Sequence, residues 1–229
     1  MMMDIFSSFD QNIFYMDNNI WLMILIFLFI LNSSWWMSPS YLWYLSMKIF
    51  LFMFTQSSLT LMKSLKSLNF IISSLFLFLI YLNLMGLLPY MFSISSHLIF
   101  SLSMSLPIWL SLIMSSFNLN KKETLAHLLP AGAPMWLNPF LIIIEMISIM
   151  VRPLTLAFRL AANMSAGHII LILISSYLTT SILMMTSSMI FLFFIQLSYF
   201  MFEMAISIIQ AYIFCLLLSL YSNDHSMKL

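Results

Sequence analysis

The sequence is short of almost everything a water-facing surface needs. Only 7% of its 229 residues are charged, against about 25% in soluble globular domains, so the chain cannot cover a solvated exterior. Three glycines and one cysteine exclude a collagen repeat, a disulfide scaffold and a cysteine-rich zinc site. No repeat period runs through it, which removes solenoids. A formal net charge of +1 provides no basic stripe, so nucleic acid is excluded as a partner. Nothing in the pattern implies a metal or a bound cofactor. What is present is apolar: 63% hydrophobic residues and a mean hydropathy of +1.06. The expectation is an all-α integral membrane protein of one domain, because only helices and closed barrels satisfy the backbone in lipid. Long apolar runs, in place of alternating strands of about ten residues, exclude the barrel.

Residues 1–19 hold Asp4, Asp10 and Asp17 and no base, unlike a secretory signal or an Arg-rich transit peptide. The chain is therefore inserted from where it is made or encoded inside an organelle. Its 23 Met and 22 Phe beside so little Gly point to an AT-rich code of the animal mitochondrial kind. Five crossings are expected. Residues 20–37 form the first span, with Trp21 at one end and Trp35 and Trp36 at the other, as aromatic belts require. Residues 41–66 are interrupted by Lys48, Lys63 and Lys66 and suit a helix in the interface. Spans follow at 69–90 and 98–117, and then a proline-rich linker at 128–139. Two helical stretches, 139–175 and 180–221, come last. Each is far longer than a hydrocarbon core of about 30 Å needs, so both are expected to tilt steeply as an antiparallel hairpin. Pro139 fits the first turn of its helix. With five crossings, Lys48, Lys63, Lys66, Lys121, Lys122 and Lys228 fall on one side and the acidic amino terminus on the other. That satisfies the positive-inside rule. In a mitochondrion this places the amino terminus in the intermembrane space and the carboxyl terminus in the matrix.

A charge at the centre of a spanning helix costs several kcal/mol and marks function by default. The penultimate helix carries Glu145, Arg152, Arg159, Asn163 and His168; the last carries Gln196, Glu203, Gln210 and, at its end, Asp224. At 100° per residue, Glu145, Arg152, Arg159 and Asn163 lie within about 40° of one direction. Gln196, Glu203 and Gln210 repeat every seven residues and also share a face. The spacings match between the helices. A hairpin that sets Arg159 level with Gln210 brings His168 to the level of Glu203 at the outer end and Glu145 to that of Asp224 at the matrix end. Two titratable clusters are thus separated by one permanent cation. His168 points about 180° from Arg159, the offset that two non-collinear half-channels need.

The run Glu145-Met-Ile-Ser-Ile-Met-Val-Arg-Pro-Leu-Thr-Leu-Ala-Phe-Arg-Leu-Ala-Ala-Asn-Met-Ser-Ala-Gly-His168 resembles the signature of subunit a of the F-type ATP synthase in its mitochondrial form. Gln210-Ala-Tyr-Ile-Phe214 is similar to that family's last-helix motif, and Asn83-Leu-Met-Gly-Leu-Leu-Pro89 to its second-span ending. Leu129-Pro-Ala-Gly-Ala-Pro134 is close to its loop, with Ala133 where the family is expected to carry threonine. The resemblance covers about half the chain. It implies a proton-translocating stator subunit in the mitochondrial inner membrane, itself not catalytic. Its implied main partner is a ring of c subunits, each with a lipid-facing carboxylate. Peripheral-stalk subunit b and small membrane subunits are the implied further neighbours. Arg159 would face the ring. His168 and Glu203, with Asn163 and Gln210, would form the outer half-channel, and Glu145 and Asp224 the matrix half-channel.

Blander roles stand beside these. Arg152 can snorkel beside Pro153, Glu145 and Asp224 lie near helix ends, and Asn163 and Gln210 can be ordinary interhelical hydrogen bonders. Two other classes bury ionisable groups. A secondary antiporter would show inverted repeats and paired broken helices, which this chain lacks. A proton-pump subunit of a respiratory complex should carry mid-membrane lysines, whereas every lysine here is in a loop or interface.

Overall fold

The computed structural model describes residues 9, 41–59, 66–88, 92–119, 121–127, 135–184 and 188–223. Residues 20–37, read as the first span, lie outside the described residues, as does Asp224. Among the described residues the chain is helical, with no strand. In order come α1 (Tyr41–Ser58), α2 (Lys66–Gly86), a 3-10 turn (Ile94–Ser96) and α3 (Leu98–Leu119). There follow α4 (Lys121–His127), a second 3-10 turn (Met135–Leu137), α5 (Asn138–Leu183) and α6 (Met189–Asn223). The helices α2, α3, α5 and α6 are long and apolar enough to cross a membrane. The protein is an all-α, multi-pass integral membrane protein.

Two connections differ from the sequence reading. Helix α1 ends at Ser58, and Lys66 opens α2 instead of closing α1. Helix α5 runs to Leu183 and α6 begins only at Met189, so the turn expected between 175 and 180 lies further along. The reason is in the hydroxyls. Ser175, Ser176, Thr179, Thr180 and Ser181 each donate to the carbonyl three residues back, at 2.8 Å. A cluster that reads as turn chemistry satisfies itself on the helix and leaves the backbone ladder unbroken. Pro139 sits in the first turn as expected. Pro153 lies inside α5 on its buried face, and the helix continues through it although the carbonyl of Ile149 loses its donor.

Helix α2 packs against α1 and α6, and α5 against α6 and α3. Met53 of α1, Ile72, Phe76 and Leu79 of α2, Leu156 and Leu160 of α5, and Phe214 and Leu218 of α6 close one buried core. Helix α1 runs antiparallel along α2: Ser57 hydrogen-bonds Asn69 near one end, and Ser46 reaches the Tyr81 hydroxyl near the other. Lipid tails are as apolar as leucine, so close packing and hydrogen bonds hold such helices together. Small residues make the approach possible. On α6, Ser207 and Cys215 are fully buried against α2; the Ser207 carbonyl accepts from Asn83 Nδ2 at 3.2 Å, and Cys215 Sγ lies 3.7 Å from the Ile72 carbonyl. On α5, Ala157, Ala161 and Gly167 occupy the buried stripe.

Candidate functional site

Helices α5 and α6 pack against each other, and two contacts show that they run antiparallel and set their register. Gly167 lies against the carboxylate of Glu203, and the Arg152 guanidinium stands over the Tyr221 ring, 5.3 Å from its centroid. Moving equally along both helices from the first contact sets Arg159 beside Ala211, the neighbour of Gln210. That is within one residue of the Arg159–Gln210 level inferred from the spacings; the level of Asp224 lies outside the described residues.

Glu203 is 3% exposed, buried where α5 and α6 meet. Its Oε1 accepts a hydrogen bond of 2.7 Å from the Tyr199 hydroxyl one turn earlier, and its Oε2 is buried without a hydrogen-bond partner among the described residues. His168 stands at the same level but makes no hydrogen bond with Glu203. Since Gly167 faces Glu203, the next residue is turned about 100° away. The imidazole Nε2 is buried and, among the described residues, unpartnered on the side of Gly86, where a Cβ would lie 3.9 Å from it. Phe9 meets the same ring edge-on, at 6.4 Å between centroids.

Further polar atoms gather at this end. Asn83, one turn before Gly86, is fully buried and leaves its Oδ1 without a partner. The 3-10 turn Ile94–Ser96 packs on α5, α2 and α3, with the Ser95 Oγ buried and unpartnered. His97 follows, stacked on Phe92 at 5.1 Å, and its Nε2 is likewise orphaned. Water is the usual partner of buried polar atoms that the protein leaves unsatisfied. Sequence reasoning missed Tyr199, Asn83 and Ser95. Tyr199 was detectable from its i,i+4 spacing to Glu203; Asn83 was detectable as an amide deep in an apolar span.

Arg159 points elsewhere. It is exposed on the face of α5 that carries Thr155, Ala162, Ala166 and Ile170, away from the buried stripe of Leu156, Leu160, Met164 and Gly167. Among the described residues it has no hydrogen-bond or ion-pair partner. Asn163, Gln196 and Gln210 are half-buried, and their side chains likewise make no hydrogen bond there. At the other end of α5, Glu145 and Arg152 form an ion pair of 3.5 Å with side chains 39% and 34% exposed. The structure thus brings Glu145 to Arg152 and Tyr221; Asp224 lies beyond the described residues.

The chain as a whole has relatives in sequence. A protein named ATP synthase subunit a from Artemia franciscana is 38% identical over 224 residues, spanning 98% of this chain and all of that protein. One of the same name from Albinaria caerulea is 40% identical over 228 residues, again spanning 98% of this chain and the whole relative. The ATP synthase F(0) complex subunit a of Rhopalosiphum padi is 36% identical over 225 residues, 96% of this chain and 99% of its own length. Residues 16–223 match the family described as ATP synthase A chain, and the chain belongs to that family.

Proposed function

We propose that the chain is the proton-translocating stator subunit of a rotary F-type ATP synthase in the mitochondrial inner membrane, with its amino terminus in the intermembrane space and its carboxyl terminus in the matrix. The observation that carries this reading is Arg159: an exposed cation, unpartnered among the described residues, on a stripe that includes Ala162 and Ala166, between two separate carboxylate sites. The partner suited to that stripe is a ring of c subunits, each bringing one lipid-facing carboxylate past the arginine. The peripheral-stalk subunit b and small membrane subunits are further neighbours, and the catalysis of ATP formation belongs to other subunits.

The chemistry follows from the residue types. A ring carboxylate must be neutral when it faces lipid and ionised when it passes the stator. Arginine does not deprotonate in proteins, so Arg159 can hold a passing carboxylate ionised without itself carrying protons across. Ala162 and Ala166 on the same stripe let a neighbouring helix come close. Protons from the outer side reach Glu203 and His168 through water held by the orphaned atoms of Asn83, Ser95 and His97. They leave toward the matrix past Glu145 and Asp224. Asn163 and Gln210, near the level of Arg159, supply amides to the passing carboxylate or its water. Each proton crossing gains about 2.3 kcal/mol per 100 mV of potential. With 46 and 35 residues, α5 and α6 are about 69 and 52 Å long. They remain within a core of about 30 Å only if inclined by about 55–65°, which places Arg159 near mid-membrane while each helix reaches both sides.

The test is proton flux through the membrane sector, in vesicles, with the catalytic head removed. Arg159→Ala should stop driven rotation and raise passive leak. An assembled Arg159→Ala complex making ATP at near-normal rates would overturn the reading.

A further inference from the structure

We infer that Tyr199 is the positioning residue of Glu203, holding its carboxylate in the proton path and keeping it ready to release the proton it takes up. The inference rests on the reading of Glu203 as an outer half-channel group and assigns that group a partner. The two residues lie four apart on α6, a spacing that stacks side chains one above the other. The Tyr199 hydroxyl donates to Oε1 at 2.7 Å, and among the described residues this is the only hydrogen bond Glu203 receives. Gly167 closes the space behind the carboxylate, so the group is fixed from two sides: the helix backbone blocks one, and the phenol anchors the other. Oε2 is buried and has no hydrogen-bond partner among the described residues. Tyr199 is itself half-buried and leans on Phe202, 6.2 Å between ring centroids, so its ring is held as well.

The Glu203 carboxylate is 3% exposed, so what its oxygens meet inside the protein decides where it is held. Among the described residues, the titratable groups on the surrounding elements are His168 of α5, His97 beyond the serine turn and Tyr199 itself. Among the described residues no cation is ion-paired to Glu203. A phenol that keeps its proton is therefore the group that favours the ionised form, because a hydrogen bond to a charged acceptor stabilises it. Tyr199 carries no proton across; it sets how easily Glu203 gives one up.

The experiment uses the assembled ATP synthase in vesicles, with ATP synthesis driven across a range of outer-side pH values. Tyr199→Phe removes one oxygen and keeps the ring. The midpoint of the outer-side profile should move upward by about one pH unit, a roughly tenfold change in proton affinity, with assembly unchanged. Should the phenyl variant fail to assemble, Tyr199→Leu gives the same comparison. Tyr199→Gln, whose amide can donate to a carboxylate one turn on, should bring the midpoint back toward the original. Glu203→Gln is run in parallel. If Glu203→Gln blocks synthesis while the donor-free variants keep the original midpoint, the role of Tyr199 is overturned and that of Glu203 stands. If Glu203→Gln leaves synthesis intact, the reading of Glu203 itself fails.

Discussion

A methyl group added at Gly167 has one place to go, and it is already occupied. An ideal Cβ there would overlap the Cδ and both carboxylate oxygens of Glu203. These atoms are the end of a flexible side chain, so Gly167→Ala need not separate the helices; the carboxylate must move instead. Moving it breaks the hydrogen bond from Tyr199, a bond to a charged group worth about 1.5–3 kcal/mol. The productive position should then fall about ten- to a hundredfold in population, at about 1.4 kcal/mol per tenfold. Stability has a separate answer, since alanine gains about 1 kcal/mol over glycine inside a helix. The complex should therefore assemble in normal amount, while ATP synthesis under an imposed proton gradient drops by tenfold or more. Gly86→Ala is the control. Its Cβ would meet Ser93 at 3.4 and 3.5 Å and His168 at 3.9 Å, contacts at ordinary van der Waals range, so synthesis should stay near normal. A fully assembled Gly167→Ala complex with an unchanged rate would refute the placement of Glu203 in the path.

Glu203→Gln keeps the shape of a side chain that is almost fully buried and removes its titration; native gels should show intact complex while ATP-driven proton pumping is lost. Arg159→Lys should not restore coupling, because an ammonium in a dry site can lose its proton; restored synthesis in the lysine variant would count against the barrier role. Ala162→Phe adds bulk on the exposed stripe beside Arg159. It should leave the chain folded and abolish rotation-coupled synthesis by keeping the neighbouring helix away, measured as lost synthesis with normal chain abundance. Arg152→Gln breaks an ion pair whose two side chains are about a third exposed, so its cost to stability should be under about 1 kcal/mol, measurable as a small change in the thermal stability of the complex.

The register of α5 on α6 was legible before any coordinates. Polar groups in lipid must meet partners or water, so equal spacings on two neighbouring helices restrict how they can slide. Angular detail was less legible. His168 and Glu203 share a level, yet one residue of offset from Gly167 turns the imidazole toward Gly86, and it is the phenol of Tyr199 that donates to Glu203. A tyrosine among phenylalanines reads as apolar filler until its i,i+4 neighbour is considered. The end of α5 was misplaced because serine and threonine signal turns in water. Where water is scarce, the same hydroxyls bond the helix's own carbonyls.

The charges of α5 and α6 also divide in a way the proposed mechanism requires. Glu145 has Arg152 and Glu203 has Tyr199, while Arg159 has no described partner of its own. A resident carboxylate beside Arg159 would hold it in a permanent pair, and breaking a buried pair costs about 3–5 kcal/mol. A visiting ring carboxylate would have to displace that partner at every step, against a gain of only about 2.3 kcal/mol per proton at 100 mV. Leaving the arginine open beside Ala162 and Ala166 removes the competition. Giving each acid a local partner keeps both from migrating toward the cation. Introducing a competitor should therefore be as damaging as deleting the charge. Ala162→Asp, three residues from Arg159 and on the same exposed stripe, places a carboxylate at helical-neighbour spacing. Driven ATP synthesis should fall to the level of Arg159→Ala, but passive proton leak through the headless sector should stay low, because the arginine's charge is still in place. High leak in Ala162→Asp would mean that the barrier depends on something other than that charge.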